Sequence, residues 1–297
     1  MHTAPRRRAR LLVTDLDNTL WDWFDVWHES FSAMLERLIE LSGVPAEELE
    51  AEIREVHQRR GTTEYSYLLN ELPSLRAATK SDREPLEVYD DAIHILNKVR
   101  FSHTQLYPGV AATLRSIREQ GVPIVAYSES LAYWTEWRIR RTGLDGVIDV
   151  LYTSPDHDFP SGVSANKIRR RPATEYGLRE TKHRHVHQGL SKPNSAVLTG
   201  ILEEFDTEPD DAVYIGDSLM KDVAMAQSVG VIDVHASYGV AQQRSGYGLL
   251  RRVSHWTDAD IERERRLQSG CTIIPSYELK SSFVELLDLF DFRREGA

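Results

Sequence analysis

Cysteine is almost missing: Cys271 stands alone in a chain of 297 residues. One thiol builds no intramolecular disulfide framework and fits a reducing compartment, so a cytoplasmic location is expected. No run approaches eighteen uncharged apolar residues, so no membrane span is expected. Arg6, Arg7, Arg8 and Arg10 precede the apolar Leu11-Leu12-Val13, but Asp15 and Asp17 interrupt at once where a secretory leader would continue apolar. That stretch reads as a solvated basic arm entering a first strand. Positive charge is also in short supply. The formal net charge of −10 argues against general nucleic-acid binding, while leaving room for a local basic patch. Repeats and low-complexity tracts are absent, and nothing specifies an oligomeric state. At 41% hydrophobic and 28% charged, the composition suits a globular protein with a sizeable core, and the length suggests roughly two domains.

Short apolar runs recur along the chain: Leu11 to Thr14, Val122 to Tyr127, Val147 to Tyr152, Ala212 to Ile215, Val231 to Val234, and Thr272 to Ile274. Each is rich in Val, Ile or Tyr and bounded by Gly, Pro, Asp or Ser, as strands are. Between them lie helix-period stretches, Val110-Leu114-Ile117, Leu131-Trp134-Ile139 and Ala196-Ile201-Leu202-Phe205. Strands alternating with helices predict an α/β fold, a doubly wound, Rossmann-like parallel sheet.

From Trp21 to Arg100 the alternation stops. Phe24, Trp27, Phe31, Leu35 and Leu38 make one apolar stripe closed by Gly43. Leu49, Ile53 and Val56 make a second closed by Gly61, followed by Leu68-Leu69-Leu72 and by Tyr89, Ile93 and Leu96. An inserted all-helical domain over 21–105 is therefore expected, with the sheet domain formed by 1–20 and 106–297. Within the latter, 154–190 reads as a long loop whose later part is basic, through Lys167, Arg169, Arg170, Arg171, Arg179, Lys182 and Arg184. Loops of such length are usually functional or disordered.

In an open parallel sheet, ligands bind beyond the carboxyl ends of the strands. Three strands here end in oxygen-bearing side chains: Thr14-Asp15-Leu16-Asp17, Ser128, and Gly216-Asp217-Ser218. Carboxylates gathered at one edge repel unless a cation neutralises them, and an oxygen-only set suits hard Mg²⁺. No His or Cys pair accompanies them, which argues against zinc. Lys192, just before the helix opening at Pro193-Asn194, brings a positive charge toward the same edge.

These residues carry a resemblance. Asp15-Leu16-Asp17-Asn18-Thr19, Ser128 after Ile124-Val125-Ala126-Tyr127, Lys192-Pro193, and Gly216-Asp217-Ser218 with Asp222 resemble, in order, the four motifs of the haloacid dehalogenase (HAD) superfamily. The helical insert resembles that superfamily's C1 cap. The resemblance implies a Mg²⁺-dependent phosphatase acting on a small-molecule phosphate monoester. Asp15 would be the nucleophile, forming an aspartyl phosphate, and Asp17 the general acid and base. The metal would be held by the Asp15 carboxylate, the Asp17 carbonyl and Asp217. Ser128 and Lys192 would grip the phosphoryl group, with Asp222 orienting Lys192 or a metal-bound water. No nucleic acid or membrane partner is implied.

Taken singly, each residue has a plainer reading. Asp15 and Asp17 could cap a turn or helix, Ser128 could be an N-cap, Lys192 a surface lysine, and Asp222 could pair with Lys221. The joint pattern favours the site. Glu129, beside the presumed phosphate position, departs from the family's neutral residues. It is expected to turn away to a surface Arg rather than greet a cationic substrate group. Trp21 and Trp23, next to the first motif, are candidate substrate contacts, as are Thr62 and Tyr65 near the turn after Gly61; Trp27 belongs to the core stripe. The alternating His183, His185 and His187 could be ligands on an extended segment, but a polar, solvated excursion explains them as well. A dehalogenase would not need Asp17, Asp217 and Lys192 together. Two alternatives stay open: a phosphomutase or other phosphotransferase, and a non-catalytic binding or regulatory protein on the same fold.

Overall fold

The computed structural model describes residues 6–156, 159–160, 162–163, 175–187, 192–262 and 273–294. A parallel seven-stranded sheet runs in the order β5-β4-β3-β2-β6-β7-β8. Its members are β2 (Leu11–Thr14), β3 (Ile124–Leu131), β4 (Val150–Ser154), β5 (Lys182–His185), β6 (Ala212–Gly216), β7 (Ile232–Ala236) and β8 (Tyr277–Leu279). The pleat sends Leu11 and Val13 into one layer of core and Leu12 into the other. Helix Ser195–Glu204 covers the first face through Leu198 and Ile201. Helix Val110–Glu119 covers the second through Val110, Leu114 and Ile117. Covered on both faces, the central strands carry apolar residues at successive positions, as parallel strands do.

The order matters for function. From β2 the chain builds outward through β3, β4 and β5, then returns to β6 on the other side. The winding reverses beside β2, and ligands bind at such a reversal.

Between β2 and β3 the chain is helical: α1 (Trp23–Ser42), α2 (Ala46–Arg60), α3 (Pro73–Ala78), α4 (Pro85–Val88) and α5 (Asp90–His103). The two long apolar stripes end as expected, with Gly43 and Gly61 closing α1 and α2 at φ 70° and 66°. Their apolar residues form a cluster of their own. The two connections to the sheet lie side by side: Trp21 bridges Leu106, and the Tyr107 N–H donates to the Leu20 carbonyl at 2.9 Å.

Four features differ from the sequence reading. The basic arm is not simply solvated, because β1 (Arg7–Ala9) pairs in parallel with β9 (Phe290–Phe292), anchored by the buried Phe290 and Phe292. The stretch 154–190 is not all loop. Lys182–His185 forms an edge strand whose polar residues hide it from apolar patterning, since an edge strand has one neighbour and much solvent. The last strand of the seven-stranded sheet is Tyr277–Leu279, and Ile274, from the run expected to form it, is exposed and outside any strand. Finally, helix Tyr247–Val253, from the second half of the chain, joins the helical layer. Ala241, Tyr247, Leu250 and Val253 belong to its apolar cluster. Arg252 pairs with Glu50 at 2.6 Å, and the Val253 carbonyl meets the buried His57 ring. Cys271, Thr272, Lys167, Arg169, Arg170 and Arg171 lie outside the described residues. No helix among the described residues is long and apolar enough to cross a membrane.

Leu250 is the anchor of that attachment, and it is 1% exposed. Leu250→Ala should destabilise the protein by about 2–5 kcal/mol in a urea titration, the cost of emptying a fully buried leucine site. A loss within experimental error would detach this helix from the layer.

Candidate active site

β3, β2 and β6 are adjacent and parallel, so Ser128, Asp15 with Asp17, and Asp217 emerge at one edge of the sheet. Asp15 is buried at the end of β2. The Lys192 Nζ donates to its Oδ1 at 2.6 Å, and the Thr19 hydroxyl donates to Oδ2 at 3.1 Å. Lys192 itself is buried and donates also to Asp222 Oδ1 at 2.9 Å. Asp222 further accepts from the Tyr214 hydroxyl at 3.0 Å and from the Ser218 N–H at 3.1 Å. It is thus in direct contact with Lys192, while Lys221 pairs with Glu129. Gly216 permits this approach: a Cβ there would lie 2.3 Å from the Asp222 carboxyl carbon.

One oxygen each from Asp15, Asp217 and Asp222 lies within 4.8 Å of the others, the one such grouping among the described residues. Burial, with Asp222 adding repulsion against the pull of Lys192, raises the Asp15 carboxyl to about 7. Asp217 is raised well above the carboxylate range by burial and by the charges of Asp15 and Asp222. Lys192 is held well above its ordinary value because those two aspartates outweigh its own burial. One lysine thus faces three crowded carboxylates. An all-oxygen set with surplus negative charge fits a small hard cation such as Mg²⁺.

Asp17 sits apart from this group. Its Oδ1 accepts from the Trp21 indole at 2.7 Å, its Oδ2 accepts from the Ser130 hydroxyl, and Arg138 Nη1 lies 3.9 Å from Oδ1. Ser128 is buried, its Oγ accepting from the Ser130 N–H at 3.1 Å. The register of β3 against β4 shifts between Tyr127 and Leu131. Such an irregularity re-aims side chains, and here it sends Ser130 to Asp17 and Glu129 to Lys192. Glu129 accepts from the Lys192 backbone N–H at 3.0 Å and pairs with Lys221. It meets a cation of the protein, as expected, but the exposed Lys221 rather than a surface Arg.

The structure separates the four candidate substrate contacts. Trp21 is 1% exposed and belongs to the sheet's core, with only its N–H turned to Asp17. Trp23 stacks on Trp27 at 6.1 Å and donates to Glu64 at 3.3 Å. Thr62 shapes the turn by accepting from the Glu64 N–H at 3.1 Å. Tyr65 alone of the four lines a cavity, of about 250 Å³, between the helical layer and helix α6, which we define as Ala132–Arg141. His183 and His185 do share a face, their rings 4.4 Å apart, and His183 is held by Glu136 and Thr153 at the sheet edge.

Ser130, Arg138 and Tyr214 were not foreseen, and Glu64 was expected only as part of the turn Arg60-Gly61-Thr62-Thr63-Glu64 that could reach the pocket. Arg138, on a helix, and Glu64, in the turn after α2, form a buried ion pair between residues far apart in the chain, and nothing local announces it. Ser130 follows Ser128 at strand spacing, a signal visible only once the strand is known to continue past Ser128.

A family model described as haloacid dehalogenase-like hydrolase matches residues 9–230, most of the chain. The chain belongs to this hydrolase family. Among curated relatives of this HAD-like chain is the glyceraldehyde 3-phosphate phosphatase of Methanopyrus kandleri, 24% identical over 265 residues, covering 87% of this chain and 95% of that one. Another is the ribulose-1,5-bisphosphate 5-phosphatase of Halopiger xanaduensis, 26% identical, covering 75% of this chain and 82% of that one. Among solved structures, a 2-haloacid dehalogenase from Pseudomonas syringae pv. Tomato DC3000 shares the fold, with a TM-score of 0.52 at 18% identity over 95% of this chain and 97% of that one.

The crowding at Asp217 has a measurable consequence. A carboxyl whose pKa is higher folded than unfolded costs nothing below its unfolded value, about 4. Its cost grows as pH rises toward the folded value. In the presence of a chelator, Asp217→Asn should therefore melt above the wild type at pH 8, with the gap narrowing toward pH 5. A variant that melts lower at pH 8 would show that the cluster carries no such strain.

Proposed function

We propose that this HAD-like hydrolase is a Mg²⁺-dependent phosphatase that cleaves a small-molecule phosphate monoester through an aspartyl phosphate on Asp15. The observation that carries this is the Lys192 ammonium placed 2.6 Å from a buried carboxylate that sits among two further aspartates. The phosphatase names of the relatives from Methanopyrus kandleri and Halopiger xanaduensis support it.

A carboxylate attacking a phosphate dianion meets repulsion, and Lys192 is placed to reduce it on both partners. Asp15, Asp217 and the Asp17 carbonyl would hold Mg²⁺, which when bound supplies charge neutralisation of the phosphoryl oxygens. Ser128 and Lys192 would bind the same oxygens, with Asp222 keeping the ammonium aimed. Asp17 would protonate the departing alkoxide and then take a proton from the water that hydrolyses the acyl phosphate. Trp21 and Ser130 hold its carboxyl in one orientation for both tasks.

The layer over 21–105 would act as a lid that shields the acyl phosphate from stray water. Helix Tyr247–Val253 would travel with it, so the paired crossings at Trp21 and Leu106 need a companion hinge near Ser237–Gly239. The basic residues of the 154–190 stretch would aid anion binding, secondary to the lid.

Purified protein should release inorganic phosphate from phosphate esters in Mg²⁺ and lose that activity on exhaustive chelation. Asp15→Asn, with near-native shape but no nucleophile, should leave less than a trace while folding normally. Turnover that survives either change would sink the mechanism. Asp17→Asn should be relatively milder on p-nitrophenyl phosphate than on alkyl phosphates, because nitrophenolate departs without a proton. Equal losses on both would remove Asp17 from the acid's role.

A further inference from the structure

The cavity of about 250 Å³ is walled by apolar and aromatic residues, Trp27, Phe31, Leu69 and Trp134 among them, yet a guanidinium opens into it. Arg100, on the last turn of α5, is 8% exposed. Its guanidinium lies over the Trp134 ring at 4.2 Å. Among the described residues its guanidinium has no hydrogen-bond acceptor, and no carboxylate lies within ion-pair distance. Stacking satisfies the face of the ion and leaves the N–H groups along its edge available to an acceptor in the cavity.

The opposing charges nearby are engaged elsewhere. Glu64 binds Arg138 and the Trp23 indole. Asp156, also in the cavity wall, accepts from the Tyr133 N–H at 2.9 Å, at the first turn of α6. Burial draws the Arg100 guanidinium down to about 10, with Glu64 pulling the other way, so it stays charged at neutral pH.

The cavity also adjoins the acid's side of the site. Arg138 is buried, with Nη1 unpartnered by a hydrogen bond and 3.9 Å from Asp17 Oδ1. Its other nitrogen binds Glu64, part of the cavity wall. A single layer of side chains therefore separates the cavity from the carboxyl that would serve the leaving group.

We infer that Arg100 is a specificity residue: the cavity receives the end of the substrate remote from the scissile phosphate, and Arg100 holds a second anionic group there, a carboxylate or a second phosphate. This rests on the phosphatase reading and narrows it to esters with two anionic ends. Cavities of this size and apolar lining suit a small ligand oriented by few polar groups, and a guanidinium binds either anion through paired N–H bonds.

The test compares three short phosphate esters of similar length. They are 3-phosphoglycerate (carboxylate end), propanediol bisphosphate (phosphate end) and glycerol 3-phosphate (neutral end). One anionic-ended ester should exceed the neutral one in kcat/KM by about tenfold or more, and which of the two does so identifies the anion. In a folded Arg100→Gln protein that ratio should collapse by about tenfold, with Arg100→Lys recovering part of it. A wild type without preference, or an Arg100→Gln protein that keeps it, overturns the proposal. Should Arg100→Gln fail to fold, calorimetry on Asp15→Asn protein with Arg100 intact decides. Tighter binding of an anionic-ended ester than of glycerol 3-phosphate supports the proposal, and equal affinities refute it. If none of the esters, nor p-nitrophenyl phosphate, is hydrolysed, the phosphatase reading has failed. The binding comparison still judges Arg100 by itself.

Discussion

The site is organised by one electrostatic constraint: three carboxylates share a buried edge of the sheet with one ammonium group. Asp15, Asp217 and Asp222 come close because β2, β6 and the turn after β6 are neighbours. Lys192 offsets part of the charge from a position fixed by its own backbone, whose N–H is bound to Glu129. Glu129 is in turn tied to Lys221. The ions thus alternate in sign from Lys221 through Glu129 and Lys192 to Asp15 and Asp222. Within the buried part of this set, Lys192 with Asp15 and Asp222, removing one member leaves a charge without compensation, which costs far more than the intact set contributes. The remaining negative surplus is what a divalent cation and a phosphate dianion, bound together, are suited to balance.

The strand ends supply this chemistry, and the helical layer supplies its surroundings. That layer is held by more than its two connections, since Tyr247, Leu250 and Val253 complete its core from the far half of the chain. If it acts as the proposed lid, it would move as a larger body. Arg244 reaches across to Asp22 at 2.6 Å, next to the first crossing. An ion pair at that point links the position of the C-terminal helix to the point where the chain leaves the sheet.

What was legible in the sequence follows from how local its physical cause is. The ends of α1 and α2 were readable because a left-handed residue after an apolar stripe needs glycine, at Gly43 and Gly61. The carboxylates were readable because they follow short buried strands directly. Strand β5 was not, because Lys182, His183, Arg184 and His185 pair at an edge where no apolar alternation is demanded. Trp21 was misplaced for a different reason. Its ring is core while its N–H binds Asp17, and adjacency to the motif could not distinguish a residue that touches substrate from one that holds Asp17. The union of Arg138 with Glu64 depends on how the helical layer sits over α6, which is tertiary information.

That pair also explains how chemistry and selectivity can be separated in one small volume. Arg138 lies between two carboxylates, bound to Glu64 and 3.9 Å from Asp17. On the sheet side, its charge reaches the residue proposed as acid and base. On the helical side, Glu64 screens Arg138 from the cavity and leaves Arg100 as the lining cation whose N–H groups have no acceptor among the described residues. An anion drawn to the cavity would therefore meet Arg100 rather than Arg138, and the scissile phosphate would meet Lys192. Two cationic positions on opposite sides of a neutralised pair can hold two anionic ends apart, so that only one of them reaches Asp15.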